Sequence, residues 1–349
     1  MAYDLKGFSY DSTAFFCECV KDKITDIRVN RPTIVQAEAL ARKKRTSITK
    51  DGKLAILACD HPARRVTSVG SDTFKMANRL QYLGRVLRVM AASSFDGVMG
   101  TTDMIEDLFI VNYLVRQGGG PSFLDDKVIL GCMNRGGLAG TVWEMDDRFT
   151  SFTAESIARL GLDGAKIMFR LEPDNADSLA TIEACAKAVS EMNAYGLPTF
   201  IEPLPQKYAD GKYKTLKDAN ELARIAGVAS ALGDSSMNIW LKLPYAPNYE
   251  IVAASTTLPI LMLGGEALGE PTPVLREFAE GMKAGGNVRG ALVGRNILFP
   301  GDDDPMAVAM AAQRIVHDGL SAEEAVEYLM EVRGQNMDAI SKYVPCDCK

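Results

Sequence analysis

The sequence predicts a (β/α)8 TIM barrel with an N-terminal helical extension and a C-terminal helical tail. Three observations carry this expectation. Short apolar runs recur eight times from Lys53 onward, longer stretches with helically spaced apolar residues separate them, and the eight units occupy about 245 residues, close to the roughly 250 of a typical β/α barrel.

Residues 1–50 read as a helical extension of one or two helices, the clearer at 33–44, placed to cap the barrel base or to meet another subunit. The barrel spans 51–316. Its strands are expected at 53–60 (KLAILACD), 95–100 (FDGVMG), 127–134 (KVILGCMN) and 164–171 (GAKIMFRL). The second half adds 197–205 (LPTFIEPLP), 237–245 (MNIWLKLPY), 258–266 (LPILMLGGE) and 290–297 (GALVGRNI). Between them lie amphipathic stretches. One covers 178–194 and stops at Tyr-Gly-Leu-Pro; another covers 273–283, with Thr272 as N-cap and Pro273 at the first helical position. The tail, 317–349, contains one more helix at 321–332. A doubly wound open sheet is the competing fold, but no Gly-x-Gly-x-x-Gly follows the first strand.

The chain of 349 residues is 47% apolar and 24% charged, ordinary for a folded globular protein, and its formal net charge is -6. No basic surplus is available to neutralise a phosphate backbone or an anionic membrane, so neither is an expected partner. No apolar run is long enough to span a bilayer, and 1–10 lacks an apolar signal core, so a cytoplasmic location is expected. The seven cysteines are expected to be reduced, with Cys59 and Cys132 inside apolar runs. Two Cys-x-Cys pairs, Cys17/Cys19 and Cys346/Cys348, lack the two-to-four-residue spacing of common zinc sites. With only His61 and His317 present, a multi-histidine catalytic metal site cannot be assembled, and neither a metal nor a cofactor is expected.

Parallel barrel strands are buried on both faces, so a charge inside one demands a reason. Asp60 ends strand one, Lys166 lies in strand four, Glu202 in strand five and Lys242 in strand six. Alternation puts Lys242 on the face of Trp240 and Pro244, while Ile239, Leu241 and Leu243 face the helices. Lys166 shares its face with Met168 and Arg170, and Glu202 with Phe200 and Leu204. All four charges are thus expected inside the barrel. The plain alternative is an internal salt-bridge cluster. Desolvation costs several kcal/mol per ion, and apolar replacements are often no less stable, so keeping four charges favours chemistry. A buried lysine beside a second cation has a depressed pKa and can act as a free amine, and an inward carboxylate can move protons.

The ordered set LACD (57–60), GAKIMFR (164–170), FIEPL (200–204), WLKLPY (240–245) and VGRN (293–296) resembles the class I β/α-barrel aldolases. The likeness is to tagatose-bisphosphate, sulfofructose-phosphate and archaeal-type fructose-bisphosphate aldolases, and it covers about Lys53 to Phe299. It implies Lys242 as the Schiff-base lysine, Lys166 as the strand-four lysine, Glu202 as the acid/base and Asp60 as a residue that holds substrate hydroxyls.

Barrel enzymes often bind phosphate with the loops after strands seven and eight. Gly264, Gly265, Gly294 and Arg295 fall there, the glycines allowing close backbone approach and the arginine a bidentate contact. Related aldolases often carry serine directly before the strand-seven glycines, where this chain has Leu263. At the other end of the substrate, His61, Arg64, Arg65, Asn134, Arg135 and Arg170 form a basic set for a second acidic group. Tyr245 either relays protons to the lysine or fills space, and His61-Pro62 reads as a rigid turn.

The expected activity is metal-independent retro-aldol cleavage of a ketose 1-phosphate to dihydroxyacetone phosphate and an aldehyde, in a homo-oligomer. The resemblance suggests the keto-deoxy-gluconate phosphate of inositol breakdown, a sugar bisphosphate or a sulfosugar phosphate as substrate. The alternatives are a deoxyribose-phosphate-type aldolase or transaldolase using the same lysine, and a barrel that binds a sugar phosphate without turnover.

Overall fold

The computed structural model describes residues 3–346. Among the described residues nine strands form: β1 (Leu54–Cys59), β2 (Gly97–Gly100), β3 (Val128–Cys132), β4 (Gly164–Leu171), β5 (Thr199–Ala209), β6 (Lys212–Thr215), β7 (Ile239–Pro244), β8 (Ile260–Leu263) and β9 (Val288–Val293). Eight of them, all but β6, pair in parallel, and the β4–β5 and β1–β9 pairings close the ring. The expected (β/α)8 TIM barrel is the fold observed. A helix follows each barrel strand, from Arg79–Ala92 after β1 to Pro305–Asp318 after β9.

Sequence alternation sets the two layers of the core. Leu54, Ile56, Ala58, Met99, Leu130, Phe200, Leu261 and Leu292 pack inside the barrel. Their alternating neighbours, among them Ala55, Leu57, Ile167, Phe169, Ile201, Leu241 and Leu243, pack outward against the helices. The interior is a filled apolar core.

Four features differ from the expectations. The fifth strand runs on to Ala209 and folds back as a hairpin with β6, through Asp210 and Gly211 at φ 54° and 77°. This Asp-Gly pair suits a two-residue turn that needs left-handed backbone at both positions. The eighth strand is Val288–Val293 and ends earlier than 297, because the chain turns at Gly294 into the short helix Arg295–Leu298. The extension forms three helices, Ser12–Phe15, Glu18–Asn30 and Ile34–Ala41. They run along the side of the barrel, where Arg28 pairs with Glu106 and Asp107 and Glu38 with Arg116. Finally, the cysteines are not all reduced: Cys19 and Cys346 are joined by a disulfide across 327 positions. The two chain ends pack together, a proximity that separation along the sequence conceals. Cys348 lies outside the described residues.

The tail helix, Ala322–Val332, starts at a capping box in which Ser321 and Glu324 bond each other's backbone. Among the described residues, no helix is long and apolar enough to cross a membrane.

Candidate active site

At the C-terminal ends of the strands, five charged side chains form a continuous chain. Register places Lys166 beside Phe200, and Phe200 beside Trp240, so residues one inward step further along β5 and β7 bring Glu202 next to Lys242. Glu202 Oε2 lies 2.6 Å from Lys166 Nζ and 2.9 Å from Lys242 Nζ. Lys166 Nζ lies 3.3 Å from Asp60 Oδ2, which also forms an ion pair with Arg135. Every member is at most 7% exposed. Phe200 and Trp240 stack with centroids 5.5 Å apart, one step down the strands from Glu202 and Lys242. The charges therefore stand on a dry aromatic and aliphatic floor, where electrostatic interactions are strong.

Three cations and two anions leave one positive charge in surplus. Burial draws the Lys242 ammonium down, the Glu202 carboxylate resists and Lys166 adds to the fall, so its pKa lies at about 8. Deprotonating Lys242 balances the cluster, and roughly a tenth of the amine is free at neutral pH. The Lys166 pKa is also lowered, mainly by burial. Burial alone would raise the Glu202 carboxyl, but Lys166 and Lys242 outweigh it and hold the group well below the usual carboxylate range. Glu202 is therefore held as the ionised carboxylate between the two lysines.

Across the mouth, the loops after β8 and β9 come together. Gly265 has φ 75°, a left-handed backbone that favours glycine. A Cβ at Gly294 would lie 2.5 Å from His61 Cε1 and 2.6 Å from the Ala58 carbonyl, so only glycine lets β9 turn here against β1. Gly264 adjoins Asn296, whose two buried amide atoms find no partner, and the buried Nε of Arg295 also lacks one. Burial lowers the Arg295 pKa against the pull of Glu266 and Glu202. Lys217, on the loop after the β5–β6 hairpin, brings Nζ to 3.3 Å from where a Gly265 Cβ would stand. Two cations, an unpartnered amide and open backbone suit an oxyanion. Sequence reasoning missed Lys217 and Asn296. The Asp-Gly turn of the hairpin was the available signal for the first.

His61 precedes a 3-10 turn, Pro62–Arg64, and its Nδ1 sits 3.4 Å from the Tyr82 hydroxyl. Burial, reinforced by Arg295 and Lys242, pushes its pKa well down, so the ring is neutral. Arg135 keeps Nε and Nη1 buried and unpartnered beside Asp60, and is thus equipped to meet a ligand.

Several residues expected at the substrate are engaged elsewhere. Arg170 bonds the Glu144 carboxylate at 2.6 Å and the carbonyl oxygens of Gly137 and Glu144. Arg64 bonds the carbonyl oxygens of Gly137 and Asn134 and pairs with Asp147. The two arginines brace the loop that carries Arg135. The Asn134 side chain extends the β3–β4 ladder through the Met168 backbone. Arg65 is exposed. Tyr245 donates to Glu280 at 2.8 Å on the outer face and does not turn to Lys242. The donor set at the mouth is amines, guanidiniums and two carboxylates already in ion pairs, which suits anionic ligands better than a divalent cation.

A family model described as Cgl0159-like matches residues 52–313. The crystal structure of Cgl0159 from Corynebacterium glutamicum is 36% identical and superposes with a TM-score of 0.80, covering 87% of this chain and 98% of that one. The 2-amino-3,7-dideoxy-D-threo-hept-6-ulosonate synthase 1 of Archaeoglobus fulgidus is 23% identical over 290 residues, 82% of this chain and 95% of that protein. A Schiff-base-forming fructose-1,6-bisphosphate aldolase is 19% identical, with a TM-score of 0.53 over 81% of this chain and 100% of that one, a likeness of fold.

Proposed function

The chain belongs to the Cgl0159-like family, and from that premise we propose that it is a class I aldolase that cleaves a ketose 1-phosphate through a Schiff base on Lys242. The observation that carries this reading is the buried Lys242–Glu202–Lys166 arrangement, in which an amine with a pKa of about 8 stands 2.9 Å from an ionised carboxylate.

The neutral Lys242 amine attacks the ketone carbon. The alkoxide formed on addition takes a proton from solvent, while Glu202 takes up the proton lost by the attacking nitrogen and passes it to the carbinolamine hydroxyl, which leaves as water as the iminium forms. In the resulting iminium, a base removes the proton of the hydroxyl on the far carbon of the scissile bond. The C–C bond breaks, the aldehyde leaves, and the bonding pair moves into the iminium to give an enamine. Protonation of that enamine and addition of water release dihydroxyacetone phosphate and regenerate the amine. Asp60, held by Arg135 and Lys166, accepts hydrogen bonds from substrate hydroxyls. Gly264, Gly265, Gly294 and Arg295, with Lys217, receive the phosphate.

Fructose-1,6-bisphosphate, the substrate named for one structural neighbour, supports a phosphorylated ketose, and the ulosonate named for the Archaeoglobus relative supports C–C bond chemistry on a keto sugar. Keto-deoxy-gluconate phosphate, sugar bisphosphates and sulfosugar phosphates form the set to assay for release of dihydroxyacetone phosphate with a coupled reductase. Release that disappears in Lys242→Ala supports the reading. No release from any of them, together with no covalent adduct on the lysine, overturns it.

A further inference from the structure

The two chain ends, which the barrel chemistry does not use, meet on the outside of the barrel. Cys17 is the N-cap of helix Glu18–Asn30 and makes no side-chain capping bond, and Cys19 is the second residue of that helix. Cys346 arrives on the tail beyond Val344, where Lys23 Nζ donates to the Pro345 carbonyl at 2.9 Å. Nearby, Tyr343 packs against Gly118 and Gly120. The sulfurs of Cys17, Cys19 and Cys346 lie within 4.8 Å of one another, and all three residues are half-buried. The Cys19–Cys346 disulfide accounts for two of these sulfurs and leaves the third unexplained.

We propose that Cys17, Cys19 and Cys346 form a thiolate site for a zinc-class divalent ion, which staples the N-terminal helix to the C-terminal tail; the disulfide is the oxidised, metal-free form of the same site. Zinc–sulfur bonds of about 2.3 Å in a tetrahedron set ligand sulfurs about 3.8 Å apart, within reach of the observed cluster. Thiolates select soft or borderline ions over magnesium or calcium. The first turn of a 13-residue helix favours the negative charge that the sulfurs carry on binding. Each Cys-x-Cys pair alone has the wrong spacing for a common zinc motif, but folding brings Cys346 to Cys17 and Cys19. Cys59, Cys132 and Cys185, the other free cysteines among the described residues, are buried.

The full chain is reduced with a phosphine under argon, given one equivalent of Zn²⁺ or Co²⁺, desalted and analysed for metal. Wild type and a Cys59→Ser control should retain about one ion per chain, and the cobalt form should show a thiolate-to-metal charge-transfer band. Cys19→Ser and Cys346→Ser should bind at least about tenfold more weakly, because each removes a ligand. Their circular dichroism and their covalent adduct at Lys242 check that they are folded. A chelator should lower the melting temperature of the zinc form and leave turnover unchanged, since the site lies outside the barrel mouth. Reduced wild type that retains no more metal than folded Cys19→Ser would overturn the proposal, whatever the outcome for the aldolase reading.

Discussion

Glu202 Oε2 stands 2.9 Å from Lys242 Nζ, and the same oxygen stands 2.6 Å from Lys166 Nζ. One carboxylate thus bridges the amine that must lose a proton and the cation that helps it do so. Glu202→Gln keeps the shape and removes the proton acceptor. It should lower kcat by roughly 10² to 10⁴, the usual contribution of a positioned acid/base. Lys242 should still be trapped covalently, at a lower rate. Single-turnover kinetics with a substrate active on wild type measures both, and an unchanged kcat would remove Glu202 from the proton path.

Lys166 is a positioning residue in this account, because it acts through its charge on Lys242 and Glu202. Burial, opposed by Glu202 and aided by Lys166, sets the Lys242 pKa at about 8. The free amine, and with it the rate of adduct formation, should rise as pH passes through that value. In Lys166→Ala the midpoint should move upward, since a like charge has been removed. A profile identical to wild type would show that burial alone depresses the amine.

Arg295 follows Gly294 directly, and Lys217 Nζ reaches the Gly265 loop. Losing either charge should cost about 2 to 4 kcal/mol of phosphate binding, a factor of roughly 30 to 1,000, seen in KM when the contact is equal in ground and transition states. Kinetics of Arg295→Ala and Lys217→Ala with a phosphorylated ketose test this, and wild-type KM in both would move the phosphate elsewhere.

The inward charges were legible because strand alternation is a local rule. Counting by twos from Trp240 and Phe200 placed Lys242 and Glu202, and the same rule placed Lys166 and Asp60. The two new cationic and amide contacts were not legible in that way. Lys217 reaches Gly265 only because a hairpin carries it there, and Asn296 is aimed by the turn at Gly294. Arg64 and Arg170 looked like free cations because nothing in their own segments shows the loop carbonyls, Glu144 and Asp147 that engage them. The meeting of Cys19 and Cys346 was hidden for the same reason: tertiary packing, and no local period, brings them together.

Arg88 and Asp304 form a bidentate ion pair that is fully buried, and Arg88 also bonds the carbonyl oxygens of Gln335 and Asn336. Asp304→Ala leaves an unpaired buried guanidinium and removes the cap of helix Pro305–Asp318. Stability should fall by about 3 to 5 kcal/mol in denaturant titration. A loss below about 1 kcal/mol would show that the pair does not secure the tail.

His317 bonds Asp51 at 2.8 Å and Asp96 at 2.7 Å. Burial disfavours its proton, but the two carboxylates prevail and raise its pKa above 6.5. The folded chain therefore binds this proton more tightly than the unfolded chain. The resulting stability is fully present below about pH 6.5 and is lost as pH rises through the higher folded value. Thermal melts from about pH 6 to pH 9 should show the advantage of wild type over His317→Gln shrinking with pH. A constant difference would refute the assignment.

The covalent role of Lys242 is the central claim, and borohydride trapping tests it most directly. Protein is mixed with substrate and borohydride, digested, and mapped by mass spectrometry. The account predicts a reduced adduct on the peptide containing Lys242, absent from Lys242→Ala and increasing with pH toward a plateau above about 8. An adduct on Lys166 with none on Lys242, or turnover with no adduct on either lysine, would contradict it.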